Sequence, residues 1–428
     1  MKLSGSFFIY LISRAASSGL NFALIPILTT YLSVRSFGLV STYAVYLNLL
    51  NVLILLGCNS ILPMFYYKRS AKEVKNLKAS LLSICTFNLV IFTLLGTAIY
   101  MLNQNVFTTL HLTYVIFIVL VFYAYTNALM QLVLTSLQMM GRAKAYGVLL
   151  NLRFSLEFLA TCIFIMLFRL SWQGRIYAYL CVSIICIVPV IYCLRRDIVA
   201  RINKKDFISC YKLGSTFVTQ QISTWVIFSI DVVLINHYLS VTDTGIYSAA
   251  YRVVSVLFVI ATAFGQAWTP FFYKLMNSKN SNKNILAVKY IYMYIFCFFL
   301  LVVSFAFGSG FISNTFLGPH FLASAKYLPG LAFAGICDAV WGVFVYYLLH
   351  IEKTMIYVWI SIVAAFSNAV INIIFLPMYG ISAAVAATVI SYGTGAIATI
   401  IFVNKYYDMP YAKAFFEIFK NNKHITQV

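Results

Sequence analysis

The chain has 428 residues, 62% of them hydrophobic and only 9% charged, with a formal net charge of +20. So few charges over such a length, with apolar runs longer than a core helix needs, exclude a soluble globular protein and describe an all-α polytopic membrane protein. A β-barrel is excluded too, because its strands alternate every second residue whereas 84–101 and 285–307 are apolar nearly throughout.

Twelve membrane spans are predicted. The first six lie at about 5–32, 40–62, 77–101, 111–138, 147–169 and 173–194, and the second six at about 212–239, 245–273, 286–313, 324–350, 354–377 and 380–404. The first contains Arg14 and runs on without a small-x-small cleavage site, so it reads as a retained helix and not as a signal peptide. Of the 30 basic residues, 23 fall on the side shared by both termini, chiefly in Lys68 to Lys78, Arg195 to Lys212, Lys274 to Lys289 and the tail. Arg35, Arg169, Arg175 and Lys326 fall on the other side. This asymmetry places both termini in the cytoplasm and accounts for the basic charge as a topology signal, so no nucleic-acid partner is implied.

The chain is a duplication. Residues 31–66 and 238–273 align without a gap at an offset of 207, with 11 identities in 36 positions. They include Gly38 with Gly245 and Pro63 with Pro270, which apolar composition alone would not align. Six spans per copy give both halves the same orientation, related by an axis along the membrane normal, an arrangement typical of secondary transporters. The expected organisation is an N-terminal six-helix lobe over 1–200, a C-terminal six-helix lobe over 201–404 and a cytoplasmic tail over 405–428. In the twelfth span Ala383, Ala387, Ser391, Gly395 and Thr399 form a small-residue ladder that lets another backbone approach. In the tail Tyr411, Phe415, Ile418 and Phe419 share one helical face, with Lys413, Lys420 and Lys423 elsewhere, which suits a helix lying on the cytoplasmic leaflet.

Six ionisable residues sit inside the spans: Arg14, Arg153, Glu157, Asp231, Arg252 and Asp338. Each costs about 2.5–3.5 kcal/mol in lipid, so together they must face one another or water. Arg153 and Glu157 are four apart on one helix and placed to bridge. Asp231 and Arg252 fall at similar depth on adjacent spans and are expected to pair, whereas Arg14 and Asp338 have no local partner. The candidates for substrate binding are therefore Arg14, Arg153 and Arg252, and those for ion coupling or charge pairing are Asp231, Asp338 and Glu157. None of these charges repeats between the halves: Arg14 aligns with Gln221, Asp231 with Leu24 and Arg252 with Val45. Tyr43, Tyr46 and Tyr251 are candidates for stacking on sugar rings.

The nine cysteines lie in or beside apolar spans without a C-x-x-C or a histidine at ligand spacing, and read as small packing residues. No glycine-rich phosphate loop, zinc-binding H-E-x-x-H or nucleophile elbow is present, and no hydrophilic segment is long enough for a soluble catalytic domain. No cofactor, metal or enzymatic activity is expected.

The first span ends in Ile27-Leu28-Thr29-Thr30-Tyr31-Leu32-Ser33, followed by Phe37-Gly38, and the second copy has Asp231 through Leu239, then Gly245-Ile246-Tyr247. A late stretch runs Asn368-Ala369-Val370-Ile371-Asn372, then Tyr379-Gly380-Ile381, Ala383-Ala384 and Ala387-Thr388. In combination, over essentially the whole chain, these resemble polysaccharide exporters of the multidrug/oligosaccharidyl-lipid/polysaccharide (MOP) superfamily. Size, span number and basic composition are most similar to its O-antigen flippases. The resemblance implies two six-helix, MATE-like lobes around a cavity that opens alternately to each side of the bacterial inner membrane, with arginines facing a pyrophosphate. The implied substrate is an undecaprenyl-pyrophosphate-linked oligosaccharide. The implied partners are membrane lipids, a coupling H+ or Na+, and the polymerase and chain-length proteins of lipopolysaccharide assembly. Two other functions compete. A cation-coupled multidrug exporter of the same fold would use Asp231, Glu157 and Asp338. A membrane polymerase or glycosyltransferase would need a large periplasmic loop, and the longest outer segment, 308–323, is short.

Overall fold

The computed structural model describes residues 3–198, 203–278 and 282–419, with side chains for all of these except 3–8, 11, 196–198, 220, 270 and 417–419. The tail lysines Lys420 and Lys423, and residues 199–202 of the basic link between the halves, lie outside that set. Among the described residues there is no strand. Eleven helices are long and apolar enough to cross a membrane, matching the second to twelfth predicted spans. The first span is the helix α1, Leu3–Tyr31, part of whose side chains are outside the described set. The residues form two compact units, Met1–Trp225 with Ile235–Gly245, and Val226–Leu234 with Ile246–Val428.

The first unit contains α1, α2 (Val34–Leu55), α3 (Cys58–Tyr66), α4 (Ala71–Leu102), the short α5 (Gln104–Thr109), α6 (Tyr114–Met139), α7 (Ala143–Cys162), α8 (Gln173–Ile198) and most of α9 (Lys204–Tyr238). Helix starts are fixed locally. Ser33 caps α2 by accepting from the Ser36 amide, and Ser70 with Glu73 forms a reciprocal capping box at α4. The second span is split into α2 and α3 by Leu56 and Gly57, both in the left-handed region. The core gathers Tyr43, Ile54, Leu81, Leu120, Leu134 and Val182, and buries Cys58, Cys85 and Cys210 as free thiols. The first part of α9 joins this unit through an Arg69–Asp206 ion pair of 3.0 Å and a hydrogen bond from the Trp225 indole to the Val45 carbonyl.

The duplication is visible in atomic detail at the start of α10 (Val241–Met276). Ser240, the equivalent of Ser33, accepts from the Asp243 amide at 3.0 Å and caps this helix as Ser33 caps α2. Gly38 and Gly245 then lie back to back. A Cβ on Gly38 would run into the carbonyl of Val241, and a Cβ on Gly245 into the carbonyl of Val34, the equivalent of Val241. The contact is reciprocal, as a two-fold relation requires, and it is built from backbone that cannot rotate aside. Gly38→Ala is therefore expected to lower the thermal midpoint of the purified protein. The overpacking costs about 1–3 kcal/mol, more than the roughly 0.5–1 kcal/mol that alanine gains over glycine inside a helix. Gly19→Ala, where nothing lies within 4 Å, is the control and should show no loss.

The second unit holds the rest of α10, α11 (Lys283–Phe307), the one-turn α12 (Ser309–Ile312), α13 (Leu328–His350), α14 (Thr354–Tyr379), α15 (Ile381–Tyr406) and α16 (Tyr411–Phe419). The segment after α11 is compact helical turn throughout, ending in a 3-10 stretch over Pro319–Tyr327. The small-residue ladder of α15 is buried along its length; Gly395 abuts the Trp341 ring of α13, and the Ser391 hydroxyl donates to the Ala364 carbonyl of α14 at 2.9 Å. Helix α16 folds back on α11, with Phe415 edge-on to Tyr292 and Phe416 exposed.

Candidate functional site

In the first unit, three helices bring polar residues together at one-turn spacing: Tyr123 and Asn127 on α6, Arg153, Glu157 and Thr161 on α7, and Arg175, Tyr179 and Ser183 on α8. The expected Arg153–Glu157 bridge is not formed. Glu157 pairs with Arg175, a residue that its place in the sequence assigned to the outer surface, and Arg175 also donates to the Thr161 hydroxyl. Arg153 reaches Glu157 only through Tyr123, whose hydroxyl accepts from Arg153 Nη2 at 3.0 Å and donates to Glu157 Oε2 at 2.6 Å. Arg153 Nη1 donates to Asn127 Oδ1, and Asn127 Nδ2 donates to Asn51 Oδ1 of α2 at 2.8 Å. The guanidinium carbons lie over the rings of Tyr123 and Phe154 for Arg153, and of Tyr179 for Arg175. Arg153, Glu157 and Arg175 are all buried. Two guanidiniums against one carboxylate leave this centre with one surplus positive charge.

The second unit holds the opposite. Asp231 of α9 is 1% exposed and receives three neutral donors: the Tyr247 hydroxyl of α10, the Thr388 hydroxyl of α15 at 2.7 Å, and Asn372 Nδ2 of α14 at 2.7 Å. The expected pairing with Arg252 is thus replaced by hydroxyls and an amide. Asn368, one turn before Asn372, adds an oxygen 3.3 Å from Asn372 Nδ2, and Asn372 Oδ1 is buried with no hydrogen-bond partner. A buried carboxylate held by neutral donors, with no ion pair to it among the described residues, is a group that can take up and release a proton. Asp338 of α13 is partly buried, and no hydrogen bond or ion pair reaches its carboxylate among the described residues.

Arg14 is exposed, and its Nε donates to the buried Tyr146 hydroxyl of α7 at 3.3 Å, while its two Nη groups make no hydrogen bond among the described residues. Ser18 and Asn21 continue the same exposed stripe along α1, and α2 exposes Asn48. Polar residues on the outer faces of membrane-spanning helices meet water or a polar ligand in preference to lipid. Of the candidates for sugar stacking, Tyr43 is buried with its hydroxyl on the His111 carbonyl at 2.9 Å, so it is a packing residue in this conformation. The sequence reading missed Arg175, Tyr123, Asn127, Asn51, Tyr247, Asn372 and Thr388, nearly all of them neutral.

Residues 4–276, from α1 to the end of α10, match the sequence family described as polysaccharide biosynthesis protein. The chain belongs to that family. The matched region contains the whole arginine-rich centre, together with Asp231 and Tyr247. No curated protein sequence matches it significantly. Similar solved structures include the lipid II flippase MurJ in an inward closed conformation, with a TM-score of 0.65 and 16% identity over 96% of this chain and 89% of that one. Another is a MATE in the straight conformation, with a TM-score of 0.59 and 15% identity over 93% of this chain and 94% of that one. A third is an outward-facing multidrug resistance MATE family transporter of the MOP superfamily, with a TM-score of 0.58 and 14% identity over 94% and 92%. At these identities the likeness is one of fold. The chain is a multi-pass membrane protein with the all-helical fold of these structures.

Proposed function

We propose that the protein flips an oligosaccharide linked to undecaprenyl pyrophosphate, such as an O-antigen repeat unit, from the cytoplasmic to the periplasmic leaflet of the bacterial inner membrane. It does so by alternating access between its two six-helix halves, with both termini in the cytoplasm. The observation that carries this reading is the separation of charge. An exposed guanidinium on α1 and a surplus-positive centre behind α2 suit an anionic headgroup, while a carboxylate held only by neutral donors among the described residues of the second unit suits a coupling H+ or Na+. Membership in a polysaccharide biosynthesis family and the fold shared with a lipid II flippase support it.

A cation-coupled multidrug exporter is the second reading, favoured by the partly exposed, unpaired Asp338. Export of organic cations needs accessible carboxylates, and the accessible charge on α1 is Arg14 instead. Arg14→Ala is expected to abolish surface polysaccharide at normal protein level. Arg14→Lys should rescue it in part, because lysine keeps the charge but not the fork that grips phosphate in two places. Full polysaccharide in Arg14→Ala would remove Arg14 from the substrate path.

A further inference from the structure

Asn51 stands at the end of a one-way chain of donors. An amide has one accepting and one donating end, and a guanidinium only donates. Arg153 Nη1 therefore turns Asn127 so that its Oδ1 faces the arginine, which sends Asn127 Nδ2 toward α2, where it takes the Oδ1 of Asn51. The NH2 of Asn51 makes no hydrogen bond among the described residues and is not among their buried unpartnered groups. Asn51 is partly exposed, and Asn48, one turn earlier on the same face of α2, is exposed. A membrane helix does not turn two asparagines to lipid when water or a ligand is on offer.

We infer that Asn51 Nδ2 is a substrate-binding donor, oriented through Asn127 and polarised by Arg153, that recognises an acceptor oxygen of the transported lipid. The inference rests on the flippase reading and deepens it by assigning a contact. Every donor in the chain points outward from the guanidinium, so each bond polarises the next. The surplus positive charge behind α2 favours an anionic acceptor. The oxygen belongs to the pyrophosphate or to a sugar hydroxyl, and two probes separate these sources: undecaprenyl pyrophosphate without sugar, and the free oligosaccharide.

The experiment measures binding of both probes to the purified full-length protein and its variants, beside their thermal midpoints. Asn51→Asp still accepts from Asn127 but has no donor to offer. Asn127→Asp still accepts from Arg153 and never touches substrate, yet it requires Asn51 to turn its NH2 inward. Both should keep the wild-type midpoint and weaken binding of one probe by about tenfold or more, the factor carried by a hydrogen bond to a charged group. Loss with undecaprenyl pyrophosphate assigns the contact to phosphate, and loss with the oligosaccharide assigns it to a sugar hydroxyl. Asn51→Leu, of the same shape but with neither donor nor charge, should weaken binding as Asn51→Asp does; wild-type binding in Asn51→Leu would assign the loss in the two aspartate variants to added negative charge and overturn the inference. Wild-type affinity in either aspartate variant overturns the inference. If that happens while Arg14→Ala still abolishes binding, the flippase reading stands without it. A wild-type protein that binds neither probe sinks both.

Discussion

Glu157→Gln is expected to leave little folded protein in the membrane. Glu157 is the sole carboxylate of the buried centre in the first unit, and it holds Arg175 directly and Tyr123 by a 2.6 Å hydrogen bond. Glutamine keeps the shape but not the charge, and so leaves two guanidiniums, Arg153 and Arg175, without a counterion among three packed helices. Removing one partner of a buried pair costs about 3–5 kcal/mol, a large share of the ~5–15 kcal/mol by which folded proteins are stable. Quantified membrane abundance and the thermal midpoint should both fall sharply. The double variant Glu157→Gln with Arg175→Met removes both charges of the pair and should recover much of the abundance. Normal abundance in Glu157→Gln alone would show that the centre is solvated and that the arginines are paired through water.

Asp231→Asn should behave in the opposite way, with abundance kept and transport lost. The groups around Asp231 are neutral, and the hydroxyls of Tyr247 and Thr388 can turn to accept from an amide as readily as they donate to a carboxylate. No countercharge is stranded, so the folded protein gains by losing an uncompensated buried ion. What disappears is the negative charge that a coupling H+ or Na+ would neutralise. The measurement is surface polysaccharide against protein level in a strain dependent on the variant. Polysaccharide at wild-type level in Asp231→Asn would remove Asp231 from coupling.

The contrast between these two carboxylates was not legible in the sequence, although both were visible as charges inside apolar spans. Composition, span number and the duplication settle the fold, because hydrocarbon forces every unit of backbone into helix and the two copies preserve even their N-caps, Ser33 and Ser240. Partner choice depends on where each helical hairpin turns. The hairpin of α7 and α8 reverses near residue 168, which sets Arg175 beside both Thr161 and Glu157. Arg175, counted as an outer-surface residue, thereby tucks into the first turn of α8. Likewise α10 starts at Val241 rather than 245, so the hairpin of α9 and α10 pairs Asp231 with Tyr247. Arg252 lies five residues on, about 7.5 Å deeper and 140° round the helix. The neutral members carry no signal of their own in an apolar run. Asn368, Asn372, Tyr247 and Thr388 stood out only as parts of a family pattern, and Asn51 not at all.

The proposed activity is transport of a lipid-linked oligosaccharide across the bilayer. The direct measurement uses the purified protein in sealed vesicles that carry an undecaprenyl-pyrophosphate-linked oligosaccharide in both leaflets. After a membrane-impermeant glycosidase has trimmed the outer leaflet, the account predicts that an imposed H+ or Na+ gradient makes the remaining oligosaccharide accessible within minutes. Vesicles with Arg14→Ala or Asp231→Asn should behave as protein-free vesicles do. Oligosaccharide that stays protected in wild-type vesicles, while an organic cation is driven across by the same gradient, would contradict the account and establish multidrug export instead.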